Sequence, residues 1–206
     1  MNIKRAFFVT PLLFLLACSI FRDDYRLPVS GARFEYVAEP EGEDKWQGVP
    51  YTLSMGKGDC EDGASVEVVA AMNKGQRAWL IWLGHYVDYM KTPDHHVSGI
   101  DRIMHLAAIT LMPDGRYRCS GVNRCDNFYG ASLDKIGAAL APEYDFNFYQ
   151  AIEITPEIKK ILEKNLQDIS DELEKAGLEI DYYKFVFLNS DLERKQEENK
   201  KKRVIK

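Results

Sequence analysis

The stretch Gly58-Asp59-Cys60-Glu61-Asp62 lies where a glycine-rich turn gives way to a helical pattern. Residues 61–74 have the apolar spacing of a helix that is capped by Asp59 and ends near Gly75. Cys60 then lies at the helix start, where backbone N–H groups and the helix dipole favour a thiolate over a thiol. A cysteine in such a place is typical of a thiol that takes part in chemistry.

Strand patterns follow this helix. Residues 78–87 are almost continuously apolar, which indicates a buried strand. Residues 106–112 and 116–120 flank Pro113-Asp114-Gly115, and this arrangement predicts a hairpin. A helix that carries the cysteine, followed by several strands, predicts an α+β fold.

A second helix is indicated near the carboxyl end. Thr155 has the chemistry of an N-cap and Pro156 suits the first helical position. One apolar stripe then continues to Leu173, and Gly177 is expected to end the helix. Residues 180–188 predict a last strand.

The amino-terminal segment has the pattern of an export signal. Lys4 and Arg5 precede an apolar run over residues 6–16, which is far shorter than the roughly 20 residues that span a bilayer. Leu15-Leu16-Ala17-Cys18 resembles a bacterial lipobox, in which the cysteine becomes the lipidated amino terminus, and Ser19 is typical of outer-membrane sorting. An ordinary signal or an uncleaved anchor is the alternative.

The chain divides into four predicted parts. Residues 1–17 are the signal peptide, 18–43 a tether and irregular lead-in, 44–190 the folded domain and 191–206 a charged tail. The net charge of the 206 residues is −5, and loss of the signal, with its two basic and no acidic residues, would make it −7. An exported acidic chain is a poor candidate for nucleic-acid binding.

The four cysteines have different predicted roles. Cys18 would carry the lipid. Cys119 and Cys125 flank turn residues and can form a disulfide in an oxidising compartment. Cys60 is then the remaining thiol, which is either reactive or a buried, inert cysteine. Its mostly polar neighbours favour the reactive alternative.

A cysteine nucleophile needs a base, and the base needs an orienting partner. His85 lies within an apolar strand pattern, and His95-His96 lie in a predicted loop that contains proline. His105 is predicted to open the first hairpin strand, a rigid position from which an imidazole can face the helix start. Asp126 follows the second strand and is the candidate orienting acid.

At this point the pattern resembles that of the bacterial transglutaminase-like cysteine proteases. The similarity rests on Trp46-Gln47, on Pro50 and Thr52-Leu53, and above all on residues 56–62, and it covers about residues 44–130. It implies a papain-like or transglutaminase-like fold, in which the cysteine helix packs on an antiparallel sheet. By position it assigns Cys60 as nucleophile, His105 as general base and acid, and Asp126 as orienter.

The acids around Cys60 allow two interpretations. Some members of this family bind calcium through acids that flank the cysteine, and the hard oxygens of Asp59 and Glu61 suit Ca²⁺. Alternatively, Asp59 only caps the helix and Glu61 favours its first turn. No cofactor is required for the thiol chemistry, so calcium is an optional one. The Cys60 N–H, together with Trp46 or Gln47, is a candidate oxyanion hole.

The resulting functional expectation is a cysteine peptidase tethered to the outer membrane and facing the periplasm. Its substrate would be an envelope protein or peptide, and its membrane contact the amino-terminal lipid. Acyl transfer to an amine instead of water is chemically adjacent. The alternatives are a catalytically inactive binding or scaffold lipoprotein and, less well supported by the flanking acids, a cell-wall peptide hydrolase.

Overall fold

The computed structural model describes residues 26–38, 45–92, 95–121, 125, 128–143, 147–178 and 186–187. The predicted signal peptide, Cys18, Asp126 and the charged tail lie outside these residues. Of the predicted last strand, only Val186–Phe187 is described. No helix within these ranges combines the length and the apolar character that a bilayer crossing requires.

The described part of the chain contains helices and strands of different lengths. The strands are β1 (Glu35–Tyr36), β2 (Lys57–Gly58), β3 (Ala78–Thr92), β4 (His95–Leu111), β5 (Tyr117–Ser120), β6 (Tyr129–Gly130), β7 (Phe148–Glu153) and β8 (Val186–Phe187). The helices are α1 (Val49–Met55), α2 (Cys60–Asn73), α3 (Leu133–Glu143), α4 (Pro156–Leu162) and α5 (Ser170–Lys175).

Six strands form one antiparallel sheet in the order β6-β5-β4-β3-β7-β8, and β1 and β2 form a separate parallel pair. The predicted hairpin is the β4–β5 unit, and the predicted α+β class is confirmed. Helix α2 covers one face of the sheet and α3 the other. We refer to these faces as the α2 side and the α3 side.

Strand alternation divides the core between the two faces. On β3, Leu80 and Trp82 pack with residues of α2, whereas Ile81 and Leu83 pack with residues of α3. The same alternation holds on β4. There Leu106 and Ala108 belong to the α2 side, and Ala107 and Ile109 to the α3 side.

Helix α2 begins and ends as predicted. Asp59 is the N-cap, and its side chain accepts a hydrogen bond from the backbone N–H of Asp62. Gly75, just beyond the helix, has a φ of 74°, which glycine adopts without the steric cost that a Cβ brings. Nearly every residue from Asp62 to Ala71 is buried, so the helix lies inside the molecule and shows little amphipathic pattern.

Strands β3 and β4 are longer than predicted. Their ladder runs from the pair Ala78–Thr110 to the pair Thr92–His95. The prediction that His95 and His96 lie in a loop was therefore wrong, because cross-strand pairing outweighs the local signal of a nearby proline. His105 consequently lies inside β4 and does not open it.

The second predicted helix is two short helices, α4 and α5, so the prediction of one continuous helix was wrong. Thr155 does cap the first of them, by accepting a hydrogen bond from the backbone N–H of Ile158. The chain between them bonds to the segment before α1. The N–H of Gly48 donates to the carbonyl of Leu166, and the N–H of Ile169 donates to the carbonyl of Trp46. These contacts use backbone groups that a continuous helix would bond internally.

The packed part of the chain extends upstream of residue 44. Leu27 and Phe34 are buried in the α2-side core. Glu67, in the middle of α2 and fully buried, accepts the N–H of Val29 through Oε2 at 2.8 Å and the N–H of Ser30 through Oε1 at 2.9 Å. The lead-in is thus bonded to the same helix that begins with Cys60.

Candidate functional site

Cys60 is the first residue of α2 and is a free, partly exposed thiol. Its side chain packs against the α2-side core. The capped helix start fixes its backbone, and β2 leads directly into it through Asp59. The sequence motif therefore places a thiol at the amino end of a buried helix that lies on an antiparallel sheet.

The thiol is hydrogen-bonded on two sides. Its Sγ donates to Oε2 of Glu61 at 2.9 Å, and the backbone of Leu106 on β4 forms a hydrogen bond with the sulfur. Burial is the main cause that raises the pKa of Cys60, and the charge and hydrogen bond of Glu61 add to it. The bond from Leu106 acts in the opposite direction. In this conformation Cys60 is a neutral thiol at pH 7.

Two of the three acids around Cys60 cap the helix start, and the third bonds the thiol. Asp59 and Asp62 form a reciprocal capping box. Asp62 is fully buried, and its Oδ1 also accepts the backbone N–H of Gln47 at 2.9 Å. Glu61 accepts the thiol of Cys60.

Both of the carboxylates that were expected to bind calcium accept hydrogen bonds from protein groups in the structure. Ca²⁺ takes six to eight oxygen ligands, whereas Asp59 accepts a backbone N–H and Glu61 accepts the Cys60 thiol. Within the described ranges, no group of three or more His, Cys, Asp or Glu side chains is placed to hold a metal ion. Calcium binding by Asp59 and Glu61 stays a prediction from the family resemblance.

His105 lies on β4, directly before the residue whose backbone bonds the Cys60 sulfur. Its side chain is 3% exposed, and burial lowers its pKa from 6.5 to about 4. The imidazole is therefore neutral at pH 7. A neutral imidazole is the form that can accept a proton.

The imidazole and the thiol start on different sides of the sheet. His105 pairs with Leu83, which belongs to the α3 side, and the next residue, Leu106, belongs to the α2 side with Cys60. A register shift adjoins this pair, because Gly84 pairs with Ile103. Such irregularities are places where a strand can redirect a side chain. The structure thus brings the backbone of His105, but not its imidazole, next to Cys60.

Asp126 lies outside the described residues, but its predecessor Cys125 is described. Cys125 is fully buried and forms a disulfide with Cys119, with the two Cα atoms 5.5 Å apart. Cys119 pairs with Ile109 on β4, and all three belong to the α3 side. The disulfide therefore fixes the residue before Asp126 on the side of the sheet to which His105 is directed.

Tyr36 is a site neighbour that the sequence did not reveal. It pairs with Gly58, two residues before Cys60, and its side chain lies at the rim of the site. Burial raises the pKa of Tyr36, and the negative charges that Cys60, Asp59 and Glu61 carry when they are ionised raise it further. Twenty-three residues separate Tyr36 from Cys60 in the sequence, so no local motif connects them.

Trp46 has a structural role, which rules out its indole as the predicted oxyanion donor. Its Nε1 donates to Oγ of Ser65 on α2 at 2.7 Å. Its ring packs edge-on against Trp82 of β3, with 6.1 Å between the ring centroids. Gln47 donates its backbone N–H to Asp62, so this N–H is also occupied.

Two buried polar side chains on the α2 side were not predicted. Ser120 on β5 pairs with Ala108, and Gln150 on β7 pairs with Trp82. Both are almost fully buried, and Oγ of Ser120 and Oε1 of Gln150 have no hydrogen-bond partner within the described structure. Buried polar atoms of this kind are uncommon and call for an explanation.

Comparisons with protein-family models, with curated proteins and with solved structures found no match for this chain. Its function is therefore argued from the residues of the site. The features that carry this argument are the free thiol at the start of α2, its contact with β4 beside His105, and the buried polar groups on the same side of the sheet.

Proposed function

We propose that the protein is a membrane-tethered, transglutaminase-like cysteine peptidase that uses Cys60 to hydrolyse an amide bond in an envelope protein or peptide. The observation that carries the proposal is the free, partly exposed thiol of Cys60. Cys60 begins a capped helix that packs on an antiparallel sheet. Its sulfur is hydrogen-bonded to the backbone of Leu106, the residue after His105. A papain-like arrangement and an anchor at Cys18 are parts of the same proposal.

The proposed chemistry begins from a neutral pair. Because the pKa of Cys60 is raised and that of His105 is lowered, both groups are uncharged at pH 7. Proton transfer from Sγ to the imidazole would accompany the attack of the sulfur on the substrate carbonyl. The imidazolium then protonates the leaving amine. Water, activated by the same imidazole, releases the acyl group, and an amine in place of water would give acyl transfer.

The proposal requires two local movements. The hydrogen bond between Cys60 and Glu61 must break, because the carboxylate disfavours loss of the thiol proton. The imidazole of His105 must reach the sulfur past the register shift beside Leu83. Asp126 would then orient the imidazole from the chain next to the Cys119–Cys125 disulfide.

The second candidate is a binding or scaffold lipoprotein without catalytic activity. The hydrogen bond from Cys60 to Glu61 favours it, because this bond and burial together keep the thiol protonated. If Cys60 is inert, no base is needed from His105 and the hydrogen bond to Glu61 does not have to break. The two candidates therefore predict different reactivity of Cys60.

The deciding experiment is alkylation of the full chain at pH 7, with modification of the Cys60 peptide followed by mass spectrometry. For the enzyme, we expect His105→Ala to slow alkylation about 100-fold, since a positioned base contributes at least that much. Glu61→Gln should accelerate it, because a charge that opposes the thiolate is removed. Thr110→Val, which changes a buried residue farther along β4, is the control.

An alkylation rate that does not depend on His105 would contradict the enzyme and favour the binding module. The same assay with added calcium or chelator tests the calcium prediction. A change in rate that Asp59→Asn abolishes would make this carboxylate a ligand.

A further inference from the structure

Ser120 occupies a defined position relative to Cys60. The pairing of β5 with β4 ends with Ser120 opposite Ala108, and two residues further along β4 the backbone of Leu106 bonds the Cys60 sulfur. Two residues of strand span about 7 Å. Ala108 belongs to the α2 side, so Ser120, directly opposite, is directed to the face on which Cys60 lies.

The hydroxyl of Ser120 is available for a hydrogen bond. The residue is fully buried, and its Oγ has no hydrogen-bond partner within the described part of the chain. A serine hydroxyl rotates freely and donates one hydrogen. Alanine would fill this position without leaving a buried polar atom unsatisfied, so packing alone does not account for a serine here.

The sulfur needs a second donor when it loses its proton. In the resting structure the thiol donates its hydrogen to Glu61, and the hydrogen bond from the Leu106 backbone lowers the pKa of the thiol. Once the thiol leaves Glu61, the carboxylate no longer bonds the sulfur. Ser120 Oγ has no partner in the resting structure, so the released sulfur must move from Leu106 towards the end of β5 to reach it.

We propose that Ser120 is a positioning residue whose hydroxyl donates a hydrogen bond to the Cys60 sulfur as the thiol proton passes to His105. The inference rests on the proposed use of Cys60 as a nucleophile. No covalent bond to Ser120 forms or breaks. The hydroxyl and the Leu106 N–H together hold the anionic sulfur at the edge of β4.

The test is the pH profile of Cys60 alkylation in the full chain, measured on the Cys60 peptide by mass spectrometry. We expect Ser120→Ala to raise the midpoint by about one pH unit and to slow alkylation at pH 7 about tenfold, since a hydrogen bond to a charged group has this magnitude. Ser120→Thr, which keeps the hydroxyl, should restore the profile. Thr110→Val is the matched control, because Thr110 is also fully buried on the α2 side but lies two residues beyond Ala108.

Thermal unfolding separates this role from a structural one. Ser120→Ala removes an unsatisfied buried hydroxyl, so its melting temperature should equal or exceed that of the wild type. A slower reaction in a variant that is no less stable supports the positioning role. A drop in melting temperature with an unchanged pH profile would overturn it.

The outcomes distinguish this inference from the proposed function. If His105→Ala slows alkylation but Ser120→Ala matches wild type, the inference fails and the nucleophile stands. If only Ser120→Ala shifts the profile, Ser120 tunes the sulfur and the proposed base is wrong. If neither variant differs from Thr110→Val, both proposals fail.

Discussion

His105 and Cys60 are both held neutral by burial, although one is a base and the other an acid. Burial disfavours the charged form of either group, so it lowers the pKa of His105 to about 4 and raises that of Cys60. A thiol in this state reacts through assisted proton transfer, unlike a preformed thiolate. The reactivity of Cys60 therefore depends on where the neighbouring hydrogen-bonding groups lie.

The buried His105 predicts how stability depends on pH. As the pH falls from 6.5 towards 4, the unfolded chain takes up a proton that the folded protein still excludes. The contribution is complete above pH 6.5 and is lost towards pH 4, and it amounts to about 3 kcal/mol. Urea unfolding between pH 7.5 and pH 4 should show a smaller loss for His105→Gln than for wild type. Equal losses would show that His105 charges readily in the folded state.

The residues that could be predicted from the sequence are those whose signals are local. Asp59 and Cys60 belong to one short motif, and the structure has the cap and the helix start that this motif predicts. Tyr36 and Ser120 reach the site only through strand pairing, with Gly58 and with Ala108. No spacing within the sequence encodes such pairings, so these neighbours were not found.

Helix α2 connects the site to the lead-in. Its first residue is Cys60, and two turns later Glu67 accepts the N–H groups of Val29 and Ser30. A fully buried carboxylate between two backbone donors leaves both oxygens satisfied. The lead-in is therefore an integral part of the packing around this helix.

Glu67→Gln should lower the free energy of unfolding by about 2 kcal/mol. The amide keeps one acceptor oxygen but turns its NH₂ towards the other backbone N–H, which loses its partner in a buried place. Urea unfolding of the full chain measures the effect. Glu153→Gln is the matched control. It removes the charge from an exposed ion pair with Arg77 at 2.7 Å, and such a solvent-screened pair contributes little to stability. Equal effects would show that the Glu67 contacts contribute no more than a surface ion pair.

Helices and strands could be predicted where capping or turn residues flank a regular apolar pattern. The β4–β5 turn and the start of α4 have such signals in Pro113-Asp114-Gly115 and in Thr155-Pro156. The break between α4 and α5 arises from contacts with Gly48 and Trp46, which are more than 100 residues away in sequence. Helix α3 and strand β7 were not predicted.

The whole molecule is a sheet with a different helical layer on each side. The class followed from the order of helix and hairpin signals in the sequence. The strand order did not, because β7 enters the sheet beside β3 from a part of the chain about 70 residues away. Cys60 and Ser120 belong to the α2 side, whereas the disulfide belongs to the α3 side. The site thus depends on how the two layers hold β4 between them.

Replacing both Cys119 and Cys125 by alanine should lower the free energy of unfolding by about 2 kcal/mol. The disulfide closes a loop with a sequence separation of 6, and the entropy that it removes from the unfolded chain has about this size. Thermal unfolding with and without a reductant provides the control, because reductant should shift the melting temperature of wild type only. If reductant lowers the melting temperature of the double variant equally, the effect of reductant does not come from this disulfide.

The contact between Glu67 and the lead-in has a mechanical consequence. Tension applied to the chain upstream of residue 26 first reaches the bridge between Arg26 and Arg33 and the buried side chain of Leu27. The hydrogen bonds from Val29 and Ser30 to Glu67 follow along the chain, and they join the lead-in to the middle of α2. The helix whose first residue is Cys60 therefore lies on the path by which a pull on the amino terminus reaches the core.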